Sequence, residues 1–130
     1  MIYLEVVEVD TERKLLWEIM VPCKWNSGRP IHTRHHKEWD KRVRAITGGL
    51  TILSVGRGQW INSNGEEFLE RVIPVRILCT TDEMRLIADI TIEHYEQEAV
   101  FFYVVSDNVG PHYATPEQQA KFTGVHQDND

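Results

Sequence analysis

The sequence predicts an α+β domain of ferredoxin-like βαββαβ type: an antiparallel sheet with two helices on one face, an added N-terminal β-hairpin and a short C-terminal helical tail. Two observations predict it. Short β-prone runs alternate with two segments of helical period, and with the leading hairpin set aside the order is strand, helix, strand, strand, helix, strand. The runs LLWEIMV and AVFFYVV carry apolar residues at both parities, so the open sheet face also needs a cover, expected to be a second copy of the chain.

MIYLEVVEV and KLLWEIMVP, separated by the polar turn DTER, form the expected hairpin. CKWNSGRP is loop chemistry. Trp39, Val43 and Ile46 then recur at helical spacing, with Thr33 as expected N-cap and Gly48–Gly49 as the stop, giving a first helix over 34–47. GLTILSVGRGQWINSNGEE predicts a strand, a glycine bend in SVGRGQW and a second short strand ending at the turn dipeptide Asn64–Gly65. FLERVIPVRILCT is a further strand in which Pro74 implies an edge position or a bulge. Thr81 and Asp82 are expected to cap a second helix whose inner face holds Met84, Ile87, Ile90 or Thr91, and His94 or Tyr95. EAVFFYVVS is near-continuously apolar, the pattern of a strand buried on both faces.

A chain of 130 residues is one domain long. Residues 1–106 are expected to form the α+β domain and 107–130 a polar C-terminal extension. In that extension Thr115–Pro116 starts a short helix, and the last six residues are expected to be disordered.

From about Trp39 to Val105 the chain resembles a family of small uncharacterised bacterial proteins known only as a domain of unknown function. The resemblance rests on Trp39 in the first helix, GGLTIL (Gly48 to Leu53), GQW (Gly58 to Trp60), NGEE (Asn64 to Glu67), and a second helix ending in tyrosine before QEAV (Gln97 to Val100). It implies a compact α+β domain and no agreed activity, and it does not extend to the histidine-rich helix start or the C-terminal extension.

Composition excludes several classes. No apolar run reaches the roughly 18–20 residues of a membrane span. The opening segment has acids within its apolar stretch and no basic leader, so a cytoplasmic protein is expected. A net charge of −6 argues against polymeric nucleic acid and anionic membranes as partners. Cys23 and Cys79 are far apart, in no metal or redox spacing, and are expected to be free thiols.

The charge is uneven. Lys24, Arg29, Arg34, Lys37, Lys41, Arg42 and Arg44 share one stretch with only Glu38 and Asp40 as acids, a local +5 that leaves about −11 for the rest of the chain. Three histidines, His32, His35 and His36, fall in the same stretch. His32, His36 and Asp40 have the four-residue spacing of helical metal ligands, but the surrounding positive charge and the lack of an HExxH context weigh against a metal. HTR (His32 to Arg34) sets a histidine beside a threonine, which invites comparison with the two-histidine phosphodiesterases, but Arg34 stands where their motif has a hydroxyl residue and no second motif exists to supply the other acid–base histidine.

Anion capture at a helix start uses all of these residues at once, because free N–H groups and the positive dipole end meet arginine and histidine there. The candidate ligand-binding residues are Trp25, Arg29, His32, Arg34, His35, His36, Lys37 and Arg57, with Trp25 as a stacking ring and Arg57 reaching in from SVGRGQW. No nucleophile context, metal site or cofactor motif is recognised.

The leading expectation is a non-catalytic, self-associating binder of a phosphorylated or nucleotide-like small molecule, for instance a phage-type protein that sequesters a nucleotide signal of host defence. The alternatives are a small phosphodiesterase-like hydrolase using His32, His35 and His36, and a protein–protein inhibitor or structural module.

Overall fold

In the computed structural model residues 13–124 are described; the first expected hairpin strand and the last six residues lie outside them. The elements run β1 (Leu15–Pro22), α1 (Thr33–Thr47), β2 (Thr51–Ile52), β3 (Gly56–Ile61), β4 (Glu67–Cys79), α2 (Thr81–Tyr95), β5 (Phe102–Ser106) and α3 (Pro116–Ala120). The architecture is mixed α+β on an antiparallel sheet. Its strand order is β2-β4-β1-β5, with β3 also pairing β4.

Register decides which side chains meet the helices. Trp17 pairs Ile77, Ile19 pairs Val75 and Val21 pairs Ile73, so these six share one sheet face. Onto that face pack Trp39 and Val43 of α1 and Met84, Ile87, Thr91 and Tyr95 of α2. Each fully buried aliphatic side chain contributes about 1.5–3 kcal/mol. The helical ambiguities of α2 resolve to Thr91 and Tyr95 inside, with Ile90 and His94 at the margin.

The polar atoms in this layer are satisfied. Trp39 Nε1 donates to Thr91 Oγ1 at 3.0 Å, and the Thr91 hydroxyl donates to the Ile87 carbonyl at 2.6 Å. Cys79 is fully buried, and burial pushes its thiol up to about 12, whereas Cys23 is half-buried; both are free.

Helix boundaries differ slightly from expectation. His32, not Thr33, is the N-cap of α1: its Nδ1 accepts from the Arg34 N–H at 3.1 Å, and Thr33 is already helical. The cap needs only an acceptor reaching forward from an extended residue, and a neutral imidazole supplies one. Likewise Thr80, not Thr81 or Asp82, caps α2 through a reciprocal box with Glu83. Gly48 ends α1 in the left-handed region at φ 85°, as its composition predicts.

The glycines of SVGRGQW are not a bend; Gly56 and Gly58 belong to β3, and the break in the strand falls at residues 53–55. Across that break, four steps along the chain from Ile52 to Gly56 match three along β4 from Val75 to Val72. One extra residue is therefore accommodated, as in a β-bulge. Pro74, which has no N–H to give, lies in β4 opposite this interruption. That placement is how a proline is tolerated inside a strand with neighbours on both sides.

The other sheet face is uncovered among the described residues. There Glu18, only 5% exposed, pairs with Arg76 on one neighbouring strand (Nε to Oε1, 3.1 Å) and accepts the hydroxyl of Tyr103 on the other. Trp60 stacks on Phe68 and touches Phe101. Gly58 is needed beneath it, because a Cβ there would come within 2.6 Å of the Trp60 ring. β5 is not buried on both faces: Phe102 is 37% and Tyr103 47% exposed. A continuous apolar run implies cover on both sides, and among the described residues this strand has little beyond the packing of Phe102 on Trp17.

Thr91→Val keeps the shape of the side chain but strands the indole N–H of Trp39. We expect a loss of about 1–3 kcal/mol in urea unfolding, and an unchanged midpoint would show that the bond carries no net stability.

Candidate functional site

The site forms where the start of α1 meets the end of α2. The loop between β1 and α1 closes on itself: Trp25 N–H donates to the Arg29 carbonyl at 2.9 Å, Gly28 N–H to the Trp25 carbonyl at 2.8 Å, and Ile31 N–H to the Cys23 carbonyl at 2.9 Å. Asn26 Nδ2 then donates to the Glu96 carbonyl at 2.6 Å, tying the loop to the left-handed C-cap of α2. These bonds place Trp25 edge-on to His35, with ring centroids 5.1 Å apart, and 6.2 Å from Tyr95.

Tyr95 is fully buried, and its hydroxyl is 2.7 Å from Nδ1 of His36. Burial holds the phenol well above its ordinary range, so it stays protonated. Beside it, His94 Nε2 donates to the His35 carbonyl at 2.7 Å, while its Nδ1 lies 3.3 Å from the Arg42 guanidinium. A carbonyl only accepts and a guanidinium only donates, so this geometry calls for Nε2 to donate and Nδ1 to accept.

Next to Tyr95 opens a cleft of about 240 Å³ between α1 and the sheet. Val21, Ile73, Val75 and Ile52 form its apolar floor, and Thr33, His36, Lys37 and Asp40 of α1 its polar wall. Desolvation lowers the pKa of His36, opposed by Asp40 and reinforced by His94 and His35. Desolvation raises that of Asp40, opposed by His36 and Arg44. The surface that the cleft exposes is nonetheless almost wholly apolar, so Thr33, His36, Lys37 and Asp40 line it mainly through their carbon atoms. Such a slot suits the flat face of an apolar or heteroaromatic ring.

Of the sequence-predicted residues, His36 and Lys37 line the cleft, and Trp25 and His35 pack on each other beside it. His32 is exposed but occupied as the helix cap. Arg29 and Arg34 are exposed at the helix start and do not line the cleft. Arg57 lies in β3, and its strand partner is Arg71. His32, His36 and Asp40 are not drawn together, since the nitrogens of the first two serve Arg34 and Tyr95; among the described residues no group of three His, Cys, Asp or Glu could hold a metal.

Sequence reasoning did not assign Asp40, Tyr95, Ile52 and Ile73 to a ligand site. The four-residue step from His36 to Asp40 was the available signal for Asp40. Nothing local marks Tyr95, which reaches the site through tertiary packing.

No family model matches the chain, and no curated protein matches it. Solved structures do. A phage SAM lyase in complex with S-methyl-5′-thioadenosine superposes with TM-score 0.58 and 13% identity, over 78% of this chain and 88% of that one. CutA1 from the psychrotrophic bacterium Shewanella sp. SIB1 gives 0.57 and 13%, over 78% and 87%. The divalent cation tolerance protein CutA1 from Thermus thermophilus gives 0.54 and 9%, over 82% and 92%. At these identities the likeness shows the α+β fold. Among the described residues no helix is long and apolar enough to cross a membrane.

The direction of the His36 shift sets a pH dependence. With its folded pKa below the unfolded value of 6.5, the unfolded chain binds the proton first. Stability should therefore fall as pH drops from 6.5 toward the folded pKa. Urea midpoints at about pH 7.5 and about pH 5.5 should differ in wild type and differ less in His36→Gln; an equal pH slope in both would assign the loss to another group.

Proposed function

We propose that the chain is a small-molecule binding protein on a ferredoxin-like frame, and that the cleft beside Tyr95 receives a nucleoside-like ligand. One observation carries this reading: between the floor of Val21, Ile73 and Val75 and the wall of α1 the cleft surface is almost wholly apolar, and Lys37, Asp40 and His36 stand along that wall. An apolar slot suits the flat faces of a purine base, whose edge would look to those three side chains for hydrogen bonds. A phosphate inside the cleft would meet apolar surface and the Asp40 carboxylate, at a high desolvation cost. Small-molecule pockets start at about 300 Å³. At about 240 Å³ the cleft encloses a base and leaves the sugar at its rim.

A binder without turnover would act by sequestering its ligand, the role that a phage protein directed at a nucleotide signal would need. A second reading is favoured by the phage SAM lyase complex, whose ligand is an adenosine thioether. On that reading the chain cleaves an S-adenosyl compound, and His36, Asp40 and Tyr95, whose protonation is shifted by burial, are the reactive set. The uncovered sheet face, with Trp60, Phe68 and Phe101 exposed or part-exposed around the Glu18–Arg76–Tyr103 group, supports self-association.

Calorimetry with adenosine, S-methyl-5′-thioadenosine and cyclic AMP tests the binder. Micromolar affinity is expected for at least one, with His36→Ala or Asp40→Ala weakening it about tenfold. No binding tighter than millimolar across the panel would end the reading. Incubation with S-adenosylmethionine followed by chromatography separates binder from lyase: recovery of the compound intact supports the first, and release of S-methyl-5′-thioadenosine the second. Light scattering should show an oligomer that Phe101→Glu dissociates, and a monomeric wild type would leave the face to a foreign partner.

A further inference from the structure

Arg57 and Arg71 stand directly opposite each other on β3 and β4. Paired residues of an antiparallel ladder share a face, and Arg71 has the parity of Ile73 and Val75, so both guanidinium groups belong to the face that floors the cleft. At about 3.3 Å per residue, Arg71 lies about 7 Å along β4 from Ile73, just past the floor. That is the direction in which β1 ends and the chain turns toward α1, because Pro22 pairs Val72.

Two like charges in direct opposition are unfavourable unless something offsets them. Among the described residues neither arginine side chain makes a hydrogen bond or an ion pair, and both residues are exposed. The adjacent acid Glu70 pairs Gly58 and therefore faces the opposite side of the sheet; Glu67, which pairs Ile61, is four residues away from Arg71. Further positive charge converges here. The half-buried Cys23 thiol feels both Arg71 and Lys24, which oppose the upward push of burial. The first turn of α1 contains no acidic residue, and Lys37 stands in the cleft wall. An anion would offset this field, and paired guanidinium groups hold planar or tetrahedral oxyanions well.

We infer that the Arg57–Arg71 pair is an oxyanion subsite continuing the cleft, so that the ligand is a nucleoside whose ribose carries a carboxylate- or phosphate-bearing substituent. This rests on the nucleoside reading of the cleft and adds the class of substituent. A base on the apolar floor leaves its sugar at the rim, and the distance to the arginines is roughly the span of a ribose with its 5′ group.

The experiment is calorimetry on the full chain with two neutral ligands, adenosine and S-methyl-5′-thioadenosine, and two that bear an oxyanion, AMP and S-adenosylhomocysteine. At least one of the latter should bind about tenfold or more tightly than its neutral counterpart, by an advantage that shrinks with added salt. Which of the two gains identifies phosphate or carboxylate. Arg57→Gln and Arg71→Gln should each remove most of that advantage while leaving neutral-ligand affinity within about twofold. Both variants should fold, with Tm unchanged or raised, because a like-charge pair is relieved. Oxyanion ligands binding no tighter than neutral ones, or an advantage that survives both variants, would overturn the subsite and leave the cleft reading standing. Absence of binding by all four would overturn both.

Discussion

The burial of Tyr95 is the constraint on which the rest of the site depends. It is the last residue of α2, and its ring touches Trp25, His36, Trp39 and His94 while its hydroxyl reaches His36. The loop before α1, both helices and the cleft therefore share one aromatic junction. A phenol is suited to this place because its body packs as a core residue while its hydroxyl satisfies an imidazole nitrogen. Removing the ring would loosen four neighbours at once, so site and core are not separable here.

The neighbouring histidines are a consequence of that packing. Each has a nitrogen committed to a protein partner: His32 to the helix cap, His36 to Tyr95, and His94 to a carbonyl and an arginine. Histidines that a sequence presents as a free cluster are here distributed among structural duties, and of these His36 also lines the cleft. The positive character of the region is then left to lysine and arginine. Shape and charge are thus partly separated: the cleft surface is apolar, Lys37 and Asp40 stand in its wall, and the arginines of the helix start lie outside it.

Much of the frame was legible in the sequence because it rests on local signals. The periods of Trp39–Val43 and of Met84–Ile87, the Gly48 stop and the Asn64–Gly65 turn are short-range patterns, and the structure contains each. The caps fall one or two residues before the expected positions, since His32 and Thr80 both depend on side-chain geometry that composition does not reveal. β5 was read as doubly buried because an apolar run reports that a surface needs cover, not whether the same chain provides it. The site was legible only on α1. Its other walls come from Ile52, Ile73 and Tyr95, residues far apart in the chain whose apolar character marks them equally as core. Arg71 was indistinguishable from any surface arginine until the pairing with Arg57 was visible.

The one-residue offset opposite Pro74 settles more than a local kink. Ile52 and Arg57 are five positions apart and would project to opposite sides of an unbroken strand, yet their partners Val75 and Arg71 face the same way. The spare residue between β2 and β3 inverts the alternation, turning Arg57 toward the helices and Trp60 toward Phe101. Side selection for everything downstream, up to the turn at Asn64–Gly65, is thus encoded in the length of a three-residue spacer and not in the identity of the residues it aims. In related chains, substitutions within 53–55 would be tolerated where a single deletion would exchange the two surfaces of the hairpin.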